Sequence, residues 1–178
     1  MPYLKKMSGR GTCPARPSWK EIFWSWVGAF LGIAAVAVVH FHFLNETDLL
    51  MIIGSFGASA VLIYGAVQSP LAQPRNLIGG HVLSALIGVT TFKLLGNHTW
   101  LAASVAVATA IAVMHLTKTL HPPGGATALI AVIGSPGVHD LGFLYVLFPA
   151  GLGAAIMLVI ALAINNIPAC RRYPEFWW

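Results

Sequence analysis

Lys118-Thr119-Leu120-His121-Pro122-Pro123-Gly124-Gly125-Ala126-Thr127-Ala128 interrupts a chain that is otherwise nearly continuous apolar sequence. How this stretch meets the bilayer decides the fold. Proline has no amide donor and restricts the residue before it, so Pro122-Pro123 reads as a break rather than as ordinary helix. The apolar piece behind it, Ala126 to Ile133, reaches only about 12 Å at 1.5 Å per residue. That is less than half of the ~30 Å hydrocarbon core. An extended stretch over Thr117 to His121 is therefore expected to enter from the inside, with a half-helix leaving toward the outside. Non-helical backbone at that depth survives only against protein or a water-filled cavity.

The same pattern occurs earlier in the chain. Gly57-Ala58-Ser59-Ala60-Val61-Leu62 returns 68 residues later as Gly125-Ala126-Thr127-Ala128-Leu129-Ile130. Each copy is followed by Ser-Pro (Ser69-Pro70, Ser135-Pro136). Each is preceded by a span ending in a similar tetrapeptide, Ala37-Val38-Val39-His40 and Ala112-Val113-Met114-His115. With three segments per copy, the second copy is inverted relative to the first, giving a pseudo-two-fold axis in the membrane plane. The middle segment of the first copy is expected to break at Gly54-Ser55-Phe56-Gly57.

The remaining spans follow from the apolar runs: Ile22 to Phe43, Leu49 to Val67, Leu77 to Leu95, Trp100 to Leu116 and Leu141 to Ile164. Hydrophobic residues make up 57% of the 178 and charged residues 8%, against about 25% charged in soluble domains. The expected fold is an all-α membrane bundle of six segments in two inverted three-segment repeats. Each middle segment is an extended stretch plus a half-helix, and the last span is a full helix. Residues 1–20 form a basic cytoplasmic tail and 21–166 one transmembrane domain, with repeats at about 21–96 and 97–166. Residues 167–178 form a second cytoplasmic tail.

Charge sets the orientation. Lys5, Lys6, Arg10, Arg16 and Lys20, with Arg75, Lys118 and the Arg171-Arg172 pair, fall on one side and read as cytoplasmic. Glu46, Asp48 and Asp140 fall outside, as do the sequons at Asn45 and Asn97. Lys93 snorkels from an outer helix end. The net charge of +5 is thus an orientation signal that faces lipid head groups, and it does not point to nucleic acid. Trp19, Trp24, Trp26 and the closing Phe176-Trp177-Trp178 read as interfacial anchors. Cys13 and Cys170 are expected as reduced thiols. The basic start, with Pro14 and Pro17 ahead of a long span, does not resemble a cleavable signal.

Two half-helix N-termini aimed at one centre supply amide donors and partial positive charge, which suits a small anion. Gly57, Gly124 and Gly125 are expected to leave amides uncovered, and Ser55, Ser59 and Thr127 add hydroxyls. Phe56, Ala58 and Ala126 complete the two turns. His121 either binds the anion or a coupled proton, or is a structural histidine holding a carbonyl freed by the prolines. His40, His81 and His115 read as packing or interfacial residues, and no histidine spacing suits a metal. Lys118 attracts anions at the inner mouth or obeys the charge rule. Arg75, beside it in that role, reads also as a loop anchor. Gly79-Gly80, Gly88, Gly151 and Gly153 allow close helix approach. No carboxylate lies within an apolar span, so neither a cation carrier nor an enzyme is indicated, and no cofactor is called for.

The run from His121 to Ala128 closely resembles the signature of the HPP family of integral membrane proteins. Gly54-Ser55-Phe56-Gly57-Ala58-Ser59-Ala60 and Gln73-Pro74-Arg75-Asn76 are similar to that family as well, and the likeness extends over roughly residues 20–166. Family descriptions assign four transmembrane helices, the count two short broken segments would leave. Plastid and cyanobacterial relatives are associated with nitrite transport, so the resemblance implies nitrite or a similar small anion. A bacterial inner membrane is the expected location, and so small a bundle suggests a homodimer. An anion channel for another substrate and a non-transporting scaffold or sensor are the alternatives.

Overall fold

A computed structural model describes residue 11 and residues 13–44 and 51–178. Lys5, Lys6 and Arg10 of the basic tail, and Asn45, Glu46 and Asp48, which were expected on the outside, lie outside the described residues. Among the described residues the fold is all helical, with no strand. Helix α1 (Trp19–Val39) continues as a wider π turn over His40–Leu44. Helix α2 (Gly54–Gly65), a 3-10 turn (Pro70–Ala72), α3 (Pro74–Leu95), α4 (Thr99–Leu116) and α5 (Pro122–Ile133) follow. The short α6 (Pro136–Leu141), a distorted segment at Val146–Gly151 and α7 (Leu152–Ile164) complete the chain. Among the described residues, four helical stretches are long and apolar enough to cross a bilayer: Trp19–His42, Pro74–Leu95, Thr99–Leu116 and Val146–Ile164. The apolar helices α2 and α5 are shorter; at 12 residues each they span about 18 Å.

Both expected breaks move. Gly54-Ser55-Phe56-Gly57 is the first turn of α2, and the irregular backbone precedes it at Met51 to Ile53. Pro122 and Pro123 likewise open α5 instead of interrupting it. The prolines occupy the one place where a missing amide costs a helix nothing, because first-turn amides have no intrahelical acceptor. Of the stretch ahead of α5, Thr117 and Lys118 form a turn, with Lys118 left-handed at φ 56°. His121 is extended, at φ −139° and ψ 103°.

The last span is not a full helix. Leu141 ends α6, Gly142 turns the chain at φ 51°, and Phe148 leaves helical geometry just before Pro149. Proline disfavours helical conformation in its predecessor and lacks a donor for the preceding turn. The single helix expected over Leu141 to Ile164 is thus parted at Gly142 and at Phe148-Pro149.

Helix α3 is central, packed on α4, α5 and the distorted segment, while α1 packs on α2 and α7. Glycine makes these approaches close. A Cβ on Gly88 would meet the Ala128 backbone of α5 at 2.6 Å. On Gly28 it would sit 2.7 Å from the Tyr64 ring, and on Gly153 it would enter the Phe56 ring.

The C-terminal residues form a strap across one end of the bundle. Whereas its neighbour Arg172 is exposed, Arg171 is buried. Its guanidinium meets the Glu21 carboxylate at 2.6 Å, the Glu21 carbonyl and Ser25 at 2.9 Å, the Asn165 amide oxygen at 3.2 Å and the Tyr64 carbonyl at 3.3 Å. Tyr173 donates to the Ala72 carbonyl at 2.8 Å, and the Glu175 amide to Gln73 at 2.8 Å. Trp177 and Trp178 are exposed, and Cys13 and Cys170 are free thiols.

Candidate functional site

The short helices α2 and α5 pack against each other, and α5 also packs along α3. Three elements deliver five polar side chains to one place: Ser55 and Ser59 from α2, His81 from α3, and His121 and Thr127 from α5 and its cap. All five are 0% exposed. Burying that many polar groups is costly unless they bond to one another, and they do so in one line.

His121 Nδ1 lies 2.8 Å from the Leu71 carbonyl and its Nε2 lies 2.9 Å from Ser59 Oγ. Ser59 Oγ reaches His81 Nε2 at 2.7 Å, and His81 Nδ1 reaches Thr127 Oγ1 at 2.7 Å. Thr127 Oγ1 also lies 2.9 Å from Ser55 Oγ and 3.3 Å from the Pro123 carbonyl. Phe56 closes one side, edge-on to His81 with ring centroids 5.3 Å apart, and the two imidazoles lie 5.2 Å apart.

The surroundings fix these groups from outside. Asn76 donates to the Leu120 carbonyl at 2.8 Å, holding the extended residues ahead of His121. Tyr145 donates to the Thr127 carbonyl at 3.1 Å. Gly80 lets α3 touch this stretch: a Cβ there would lie 2.5 Å from His121 Cβ.

The other candidates divide. Gly124 faces inward, where a Cβ would meet the Gly80 carbonyl at 2.7 Å and Ser84 Oγ at 2.8 Å. Its amide is not open, since it donates to the His121 carbonyl at 2.8 Å. Gly57 and Ala58 are exposed on the outer face of α2. Gly125 and Ala126 line a groove of about 580 Å³ between α4 and α5, and a Cβ on Gly125 would meet only Val107, at 3.9 Å. Lys118 is exposed on its turn. Arg75 is half-buried, with its guanidinium 5.9 Å over the Phe176 ring and its Nε unpartnered. No cluster of histidine, cysteine or carboxylate suited to a metal occurs among the described residues.

His81, expected as a packing or interfacial residue, is buried where α3 meets the other two helices and stands at the centre of the line. The available signal was its setting: a mid-span histidine between Gly80 and Ser84, with Gly88 continuing the four-residue step. Small residues in that register bring a second backbone against the same face, and an ionisable group there is seldom idle.

The family model described as "HPP, transmembrane region" matches residues 14–174. Two Dictyostelium discoideum proteins described only as transmembrane proteins are 46% and 44% identical to the chain, over 99% of its length in each case. The chain spans 57% of the first relative and 63% of the second. No solved structure matches.

Proposed function

The chain belongs to the HPP transmembrane family, and from that premise we propose that it carries a small anion across the membrane, with nitrite the first substrate to test. One observation carries the proposal: the five buried polar side chains where two half-length apolar helices meet. A bilayer protein seldom keeps polar groups at depth without a use for them. The charge available is partial positive, from hydroxyl and imidazole hydrogens, with no carboxylate bonded to the cluster among the described residues. That favours an anion over a cation.

In this reading α2 and α5 are the half-helices of two inverted repeats. Ser59 and Thr127 hold equivalent places in the two hexapeptides and bond opposite nitrogens of one imidazole, which supports an axis passing near His81. The anion enters when α2 and α5 part, and it takes the hydroxyls that now bond to one another. Lys118 and Arg75 serve the inner mouth. The sealed packing favours a carrier over an open channel.

Nitrite uptake into proteoliposomes tests this. Ser59→Ala and His121→Ala are expected to lower uptake at least tenfold. Uptake that survives both changes, or wild-type uptake no faster than in protein-free vesicles, would sink the proposal. A scaffold is the competing reading, because the cluster closes on itself. Cysteines placed at Ser55 and Thr127, in a Cys13→Ser/Cys170→Ser background, separate the two. A carrier exposes them to a soluble thiol reagent during turnover, and a scaffold does not.

A further inference from the structure

The line of hydrogen bonds has a proton count that its geometry limits. The Leu71 carbonyl only accepts, so His121 Nδ1 carries hydrogen and donates to it. With His121 neutral, its Nε2 accepts and Ser59 donates to it. Ser59 has then spent its one hydrogen, so His81 Nε2 donates to Ser59. A neutral His81 would accept at Nδ1, which requires the Thr127 hydroxyl to point at it. Thr127 has two other acceptors in reach, Ser55 Oγ at 2.9 Å and the Pro123 carbonyl at 3.3 Å.

A second state follows by moving one hydrogen and rotating one hydroxyl. A proton added at His81 Nδ1 makes that nitrogen a donor to Thr127 Oγ1, and Thr127 turns its own hydrogen to Ser55 or Pro123. Every other bond stays as it was. No such economy exists at His121: a proton on its Nε2 forces Ser59 to reverse and His81 to change tautomer. His81 is therefore the member of the line that takes up a proton with least rearrangement.

The imidazolium so formed has no partner charge. Its contacts are Ser59, Thr127 and Phe56 on α2 and α5, with Ser84 next along α3 and His121 alongside. The other titratable groups nearby are phenols: Tyr145 on the Thr127 carbonyl, and Tyr173 of the strap on the Ala72 carbonyl beside Leu71. Met114 is what α4 contributes, against Ser84. No carboxylate, ammonium or guanidinium bonds to the five side chains among the described residues. An isolated charge at this depth costs several kcal/mol, and so does an isolated anion. Bound together they are neutral.

We propose that His81 takes up one proton with each anion, making the protein an electroneutral proton–anion symporter in which Thr127 is the switching hydroxyl. The proposal rests on the anion reading above. The step balances: H⁺ adds to the His81 Nδ1 lone pair, the anion supplies the compensating charge, and release on the other side returns both.

The test uses the full chain in vesicles loaded with a pH-sensitive dye, with membrane potential clamped by potassium and valinomycin and protein-free vesicles subtracted. Added sodium nitrite should acidify the lumen, about one proton per nitrite, at a rate unchanged by the clamped potential. His81→Gln should lower the proton-coupled flux at least tenfold. Thr127→Val should lower it as well and shift its pH profile, while Thr127→Ser restores it. Should a variant fold poorly, ¹⁵N NMR of histidine-labelled wild type reads the same state. Nitrite should drive His81 to the doubly protonated form while His121 keeps its Nδ1–H tautomer. Nitrite entry that follows the potential and moves no proton overturns the coupling and leaves the transport reading standing. Absence of protein-dependent nitrite entry removes both.

Discussion

Replacing Arg171 with glutamine should be the most destabilising surface-proximal change in the molecule. The Arg171 side chain is 3% exposed while its ion-pair partner Glu21 is 34% exposed. The guanidinium also bonds the Glu21 and Tyr64 carbonyls, Ser25 and Asn165. Breaking a buried pair typically costs about 3–5 kcal/mol. The partial exposure of Glu21 lowers this, because its carboxylate regains water once unpaired. Glutamine recovers one of the lost donors, and the orphaned Tyr64 carbonyl and Asn165 oxygen lose about 1 kcal/mol each. A net loss of about 3 kcal/mol is expected. For a chain of this size that corresponds to a fall in Tm of about 6–12 °C. The assay is thermal unfolding of the detergent-solubilised protein at one fixed scan rate. Arg172→Gln, at an exposed neighbour of identical charge, should stay within about 2 °C of wild type. Equal shifts for the two arginines would refute the clamp and return Arg171 to the role of a simple orientation charge.

Further outcomes follow from individual contacts. Gly124→Ala sets a Cβ 2.7 Å from the Gly80 carbonyl, so it should cost about 1–3 kcal/mol and abolish uptake. Gly125→Ala faces a groove and should be neutral or stabilise by up to about 1 kcal/mol; thermal melts and uptake rates check both. Lys118→Gly relieves a left-handed backbone and should raise stability by about 1 kcal/mol; if Lys118 draws anions to the mouth, uptake falls at low ionic strength and recovers toward wild type in high salt. Burial pushes the Tyr173 hydroxyl above the usual phenol range. Its contribution to stability is therefore complete below pH about 10 and declines above it. Tyr173→Phe should flatten the corresponding part of the alkaline unfolding profile.

The long spans were legible because they needed only composition and length. Thr99–Leu116 was anticipated to within a residue as Trp100 to Leu116, since nothing inside it competes with the helix. Pro122-Pro123 misled because proline is read first as a breaker, and only its position at a helix start makes it harmless. Pro149 misled in the opposite direction: one proline inside a strongly apolar run was outweighed by the run. Arg171 and Arg172 look identical in sequence, and what separates them is partners on Glu21, Ser25 and Tyr64, at separations of 150, 146 and 107 residues.

The candidate site shows the same divide between local and tertiary information. Ser55, Ser59, His121 and Thr127 were named from a repeat and a motif, both local. What joins them is His81, whose partners lie 22 and 46 residues away. The repeat nevertheless constrained the answer. If two copies of Gly-Ala-Ser/Thr-Ala are related by an axis in the membrane plane, their hydroxyls approach the axis from opposite sides. One group between them can then bond both, and the His81 imidazole does so with one nitrogen on each side. A lone alcohol or amide would leave the arrangement lopsided. With His81 between those two hydroxyls, one proton at Nδ1 decides whether Thr127 gives or receives, while Ser59 receives from Nε2 in both states.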